Sequence, residues 1–233
     1  MAESVSQNCQ EGAEILAASR PTAVRASPRQ ALLELSCLVF LIESIMWAVT
    51  FVPRPRAAYL ALTLLIALLL ATCQARDRLS PREMGLRFDN FLEVVKRILP
   101  TLAIFVLLVT AFGLAAGTLR VGAKFYSMLA SVPTWALLQQ YMLLAFANRR
   151  LRIIFPQGSR AATSALFALL HLPNPVLTIA CGVGGYVWAR EYERSPNLLA
   201  NALTHTVASA FLANSLPGRL LKNMVVGYNY FLR

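Results

Sequence analysis

The stretch ILPTLAIFVLLVTAFGLAAGTL, residues 98–119, contains no charged side chain. A helix of a water-soluble protein keeps one polar face toward solvent, whereas this stretch is apolar on every side and long enough to cross a bilayer. We therefore expect a membrane-spanning helix here. The whole chain agrees, because 57% of its 233 residues are hydrophobic and only 14% are charged, which is far from the composition of a soluble domain.

Other apolar segments divide into two kinds. The segments 31–52, 57–73 and 127–146 have the length of a membrane span, whereas three later segments are short or carry polar groups, at 161–172, 176–189 and 198–216. Polar groups are costly in lipid, so we expect the longer helices to enclose the later segments. The sequence predicts an all-α, polytopic transmembrane bundle of about seven to eight helices over residues 31–233, after a polar, disordered tail at 1–30.

The net charge of +11 does not indicate nucleic-acid binding. Basic residues gather in the cytoplasmic loops of membrane proteins, and no basic run here alternates with aromatic residues as a stacking platform would. The basic tail and alternate loops predict a cytoplasmic N-terminus. We expect an integral, multi-pass protein of the bacterial inner membrane, in contact with membrane lipids and binding no nucleic acid.

The segment before the third span has helical spacing of apolar residues on one face, at Phe88, Phe91, Leu92, Val95 and Ile98. Its opposite face is charged. This pattern predicts a helix that lies on the cytoplasmic surface before the chain enters the bilayer.

The only two histidines of the chain, His171 and His205, both fall in the later polar segments. An ionisable group inside a membrane often marks a functional site, so either the two share a site or each is a separate structural residue. Two adjacent amides, Gln139 and Gln140, interrupt the apolar run of residues 134–151. They either face the histidines or hydrogen-bond neighbouring helices together.

Two motifs resemble those of the CAAX protease and bacteriocin-processing (CPBP) family, which includes the type II CAAX prenyl endopeptidases. Its pattern is EExxxR, then FxxxH, then HxxxN or HxxxD, on separate helices. This chain has FALLH at 167–171 and HTVAS at 205–209, and its segment SPREMGLRF resembles one that precedes the family's paired helices. The resemblance covers about 80–216, and by motif order Gln139 and Gln140 stand at the two glutamates, Leu144 at the arginine and Ser209 at the asparagine.

The resemblance implies an intramembrane metalloendopeptidase that cleaves a peptide or a prenylated protein C-terminus. It implies that His171 and His205 bind zinc or polarise water, that Gln139 or Gln140 positions this water, and that Ser209 helps to stabilise the oxyanion. A glutamine has no accessible proton equilibrium near neutral pH, so it orients water without deprotonating it. The alternative is therefore a catalytically silenced member of the fold that binds a lipidated peptide or a partner helix.

Overall fold

A computed structural model describes residues 24–232, and within them helices are the only regular secondary structure. We number the α-helices along the chain as α1 Pro28–Glu43, α2 Pro55–Asp77, α3 Phe91–Ala115, α4 Ala123–Gln140, α5 Arg149–Ile154, α6 Ser159–Leu169, α7 Pro175–Arg194, α8 Leu198–Ser215 and α9 Gly218–Leu221. Two π-helical segments, Ser44–Ala48 and Tyr141–Asn148, extend α1 and connect α4 to α5. The predicted all-α bundle is confirmed.

Three helical stretches are long and apolar enough to cross a membrane: Pro28–Phe51, Pro55–Asp77 and Phe91–Ala115. They correspond to three of the four predicted spans. The fourth, at 127–146, is not among them, because its two glutamines lower its apolarity. Its α-helix also changes to a π-helix after Gln140. Wider helical turns of this kind are frequent at functional sites.

The first helix begins three residues before the predicted boundary of the tail. Ser27 accepts a hydrogen bond from the backbone N–H of Gln30, and the Gln30 side chain accepts one from the Ser27 backbone. This reciprocal capping box and Pro28 at the first turn start α1 at Pro28. Residues 1–23 of the predicted tail lie outside the described residues.

The predicted surface helix before the third span is not a separate element. Residues 79–90 form turns, and α3 runs unbroken from Phe91 to Ala115. Phe88 and Leu92 are exposed, whereas Val94 and Ile98 are buried, so only part of the predicted apolar face packs against the core. The charged stretch is instead the first turns of the spanning helix itself.

The loop formed by residues 78–90 is fastened to the junction between α7 and α8. The Tyr192 hydroxyl donates to the Met84 carbonyl at 2.8 Å, and the Asn197 amide donates to the Arg87 carbonyl at 2.9 Å. Gly85 has a φ of +93°, and a Cβ there would lie 3.0 Å from the Asn197 backbone nitrogen, so this close approach requires glycine. The loop therefore fixes the start of α8.

Helix α8 lies at the centre of the bundle. It packs along α3 and α4, and α6 packs along α7 beside it. Most α8 side chains are buried, including Asn201, His205 and Ser209. Of the three later segments, only 198–216 is enclosed by the bundle as predicted. The segments 161–172 and 176–189 keep large apolar side chains exposed, among them Leu169, Ile179 and Val183.

The last residues form neither a long interfacial helix nor a span. They fold into α9 and two short 3-10 turns, which return to the loop after α6, where the Gly227 N–H donates to the Leu172 carbonyl at 2.9 Å. The Asn174 amide donates to the Leu221 carbonyl at 2.8 Å. The C-terminal segment, residues 217–232, thus closes one side of the bundle.

Candidate histidine site

His171 lies in the turn that follows α6. Its Nδ1 is 2.7 Å from the Phe167 carbonyl oxygen, one helical turn earlier. A carbonyl oxygen can only accept, so Nδ1 carries the proton of the neutral ring. The Nε2 lone pair of His171 is then available to accept a proton or to bind a metal.

His205 lies in the middle of α8 and is bonded to the second glutamine. The Gln140 Nε2 lies 3.1 Å from the His205 Nδ1. With the amide in this orientation Nδ1 accepts the hydrogen bond, and the neutral ring therefore carries its proton on Nε2. His171 and His205 thus offer complementary groups, an acceptor and a donor.

Gln140 is fully buried, and its Oε1 has no hydrogen-bond partner in the described part of the chain. It is the last residue of α4, immediately before the π-helical segment. The bond to His205 joins two helices, so it is also the interhelical contact that paired amides commonly make in bilayers. Both interpretations of Gln140 from the sequence therefore apply to the same bond.

Both imidazoles pack against the same aromatic ring. The Phe167 ring lies 4.7 Å from the His171 ring and 6.0 Å from the His205 ring, edge to face in both cases. The spacing of four residues in the FALLH motif places Phe167 and His171 on one helix face. Phe167 is thus the common neighbour of both histidines.

A cavity of about 430 Å³ opens beside these residues. Four of the predicted site residues line it: Gln139, His171, His205 and Ser209. The rest of the lining is mostly apolar and comes from α3, α4, α7, α8 and the C-terminal segment, with Ile98, Phe105, Val132, Leu177, Leu212 and Met224 as examples. Gln140 reaches the site through His205, and Leu144, at the motif's arginine position, is buried in the apolar core instead.

No acidic residue lines this cavity among the described residues. Glu34 is bonded to Arg76 and Arg150, and Glu191 to Arg97. Glu34 therefore does not approach either imidazole. In the loop before α3, the hydrogen bond from Arg87 lowers the pKa of Asp89 to about 2, so this exposed carboxylate stays ionised, and it does not line the cavity.

The donor set falls short of a zinc site. Catalytic zinc takes three protein ligands and structural zinc takes four, whereas residues 24–232 contain no group of three or more His, Cys, Asp or Glu side chains that would hold a metal. Two neutral imidazoles also supply no charge to balance a divalent cation. Zinc at His171 and His205 stays a prediction, and metal analysis of the purified protein tests it.

One aromatic neighbour of the site was missed from the sequence. Trp188 of α7 packs against His205 with ring centroids 4.6 Å apart. The only sequence signal near it is the glycine-rich stretch GVGGYVW, residues 182–188, and small residues of this kind usually indicate close helix packing.

The fold and this site define an integral, polytopic helical membrane protein with two histidines at a cavity between its helices. Residues 122–211 match the family model described as type II CAAX prenyl endopeptidase Rce1-like. This region runs from the start of α4 into α8 and contains both histidines. The family resemblance predicted from the motifs is confirmed, and no curated protein and no solved structure matches the chain.

Proposed function

We propose that the chain is an intramembrane endopeptidase of the CAAX prenyl protease type, which cleaves a peptide or a prenylated C-terminus at the cavity of His171 and His205. The observation that carries the proposal is the convergence of both imidazoles on one apolar cavity, within the region that matches the family. A cavity with apolar walls and a few polar groups suits a substrate that combines a hydrocarbon chain with a peptide bond.

We assign the chemical steps from the ring nitrogen that carries the proton in each neutral histidine. His171 Nε2 accepts a proton from a water molecule as the water oxygen bonds to the scissile carbonyl carbon, and Gln139 orients this water. His205 Nε2–H donates to the carbonyl oxygen as it gains negative charge, with the Ser209 hydroxyl as a second donor. The proton held by His171 then passes to the leaving amine as the carbon–nitrogen bond breaks.

The second candidate is a silenced member of the fold that binds a lipidated peptide or a partner helix without cleaving it. The absence of acidic residues from the described cavity wall favours this alternative. Loss of a general base commonly lowers the rate by about two to four orders of magnitude, so an enzyme that relies on histidine alone would be slow.

The distribution of basic residues along the chain supports a proposal for the membrane location and orientation. We place the site in the bacterial inner membrane with the N-terminus in the cytoplasm, which the basic loops support. A reporter fused to residue 1 and assayed on each side of the membrane tests this orientation.

One set of variants separates the two candidates. Cleavage of a prenylated peptide and metal content are measured for the native chain, for His171→Ala and for Gln139→Glu/Gln140→Glu, all full length in lipid nanodiscs. The endopeptidase predicts slow native cleavage that His171→Ala abolishes. Native protein that binds the peptide and cleaves nothing, while the glutamate pair restores cleavage, supports the silenced binder instead.

A further inference from the structure

We propose that Trp188 is a positioning residue, which holds the His205 imidazole in the orientation that the reaction needs. Its catalytic consequence rests on the proposed endopeptidase function, whereas its structural consequence does not. The Trp188 and His205 rings are in close, tilted contact, with centroids 4.6 Å apart and planes inclined by 30°. Trp188 is itself buried.

The indole is fixed by a hydrogen bond to the residue next to His205. Trp188 Nε1–H donates to the Thr204 hydroxyl oxygen at 3.1 Å. The Thr204 hydroxyl in turn lies 3.0 Å from the Ala200 carbonyl oxygen of its own helix. The indole is therefore anchored to the same turn of α8 that carries the imidazole.

The sequence leaves space for this indole on α7. A Cβ at Gly184, four residues before Trp188, would lie 2.9 Å from two atoms of the indole ring. Atoms cannot approach so closely, so any side chain at this position would displace the tryptophan. Gly185 has a separate role, because a Cβ there would lie 3.4 Å from Phe167.

These contacts fix the His205 ring on two sides. Gln140 holds Nδ1 at one edge, and the indole covers one face. A half-turn of the ring would break the bond to Gln140, and a smaller rotation or tilt would also lose the contact with the indole. The bond at Nδ1 leaves Nε2–H available for a substrate carbonyl in the cavity that His205 lines, and small losses of such alignment can lower a rate by about 100-fold.

The test uses the fact that the chain has only two histidines. The full-length protein, labelled with ¹⁵N- and ¹³C-histidine in lipid nanodiscs, gives two sets of imidazole NMR signals, and His171→Gln assigns them. We expect the native His205 signals to show the Nε2–H tautomer and an upfield shift from the indole. In Trp188→Leu the upfield shift of the His205 signals should disappear, and both tautomers should be populated. Gly184→Ala keeps the tryptophan but displaces it, so the His205 signals should change in the same direction.

Two further variants control the experiment. Trp47→Leu makes the same substitution at a tryptophan that packs on Phe231, and it should leave the His205 signals unchanged. In the cleavage assay, kcat of Trp188→Leu should fall about 100-fold with little change in KM, and Trp188→Phe, which keeps an aromatic face, should restore most of it.

Unchanged His205 signals in both Trp188→Leu and Gly184→Ala would overturn the proposal. Native protein that cleaves nothing contradicts the proposed function alone, because the NMR signals test Trp188 without substrate. Native cleavage with an unaltered kcat in Trp188→Leu overturns the positioning role and leaves the proposed function standing.

Discussion

At the scale of single residues, the two adjacent glutamines have different surroundings. Gln140 is fully buried and bonded to His205, whereas Gln139 is half-buried on the cavity wall. A hydrogen bond between helices in a bilayer contributes about 1 kcal/mol. Gln140 therefore contributes to the stability of the bundle, whereas Gln139 lines the cavity in which we propose that a substrate binds.

Leucine substitutions separate these two roles. Gln140→Leu should lower the free energy of unfolding by about 1 kcal/mol because the bond to His205 is lost, and Gln139→Leu should change it much less. Reversible unfolding in mixed micelles measures both. Equal destabilisation by the two substitutions would contradict the assignment.

At this scale the sequence singled out four residues that line the cavity, Gln139, His171, His205 and Ser209. Both histidines stood out because an imidazole in an apolar segment is unusual, and the spacing of Phe167 and His171 placed them on one helix face. Trp188 could not be predicted, because an aromatic residue in an apolar helix has no pattern that distinguishes a contact with His205 from ordinary packing. Its contact depends on how α7 packs beside α8, which is a tertiary property.

At the scale of helices, a buried group of charges joins α1, α2 and α5. Arg150 is bonded to Glu34 at 2.8 Å and to Asp77 at 3.2 Å, and Arg76 is bonded to both acids. The Arg150 guanidinium also lies 3.6 Å from the centre of the Phe146 ring. This charge cluster holds the first two helices against the π-helical end of α4.

Removal of one member of the charge cluster should be costly. Arg150→Leu leaves two buried carboxylates with Arg76 as their remaining partner. We therefore expect the free energy of unfolding to fall by about 3 kcal/mol. Arg82→Leu is the matched control, because its ion pair with Asp89 is exposed and such pairs contribute little. Thermal unfolding measures both, and a loss in Arg150→Leu no larger than in the control would contradict a structural role.

Helix boundaries were less predictable than helix existence. The apolar segments predicted the spans because bilayer thickness sets their length. The change to a π-helix after Gln140 and the continuation of α3 through its charged first turns were not predictable, because both depend on contacts with neighbouring helices. The charged pattern before α3 also agreed with a surface helix, and the sequence contained nothing to separate the two arrangements.

At the scale of the whole molecule, the C-terminal segment closes the bundle against the end of the first span. The Tyr228 ring lies 4.4 Å from the Phe51 ring, and Met224 and Val226 complete the cavity wall. Gly227 has a φ of +62°, and a Cβ there would lie 2.3 Å from the Met46 carbonyl oxygen. This junction therefore requires glycine.

Gly227→Ala should detach the C-terminal segment from Met46 and open the cavity on that side. Gly218→Ala is the control, since a Cβ at Gly218 meets no atom within 4 Å. Limited proteolysis followed by mass spectrometry measures the release of the segment. If the C-terminal segment is equally resistant to proteolysis in the two variants, the junction at Gly227 does not hold the segment in place.

The central claim is that the cavity at His171 and His205 carries out peptide hydrolysis. The most direct measurement is mass spectrometry of a prenylated peptide incubated with the purified full-length protein in lipid nanodiscs, beside His171→Ala prepared in the same way. Our account predicts one internal cleavage product with the native protein and none with the variant. Native protein without product, or equal product from both, would contradict it.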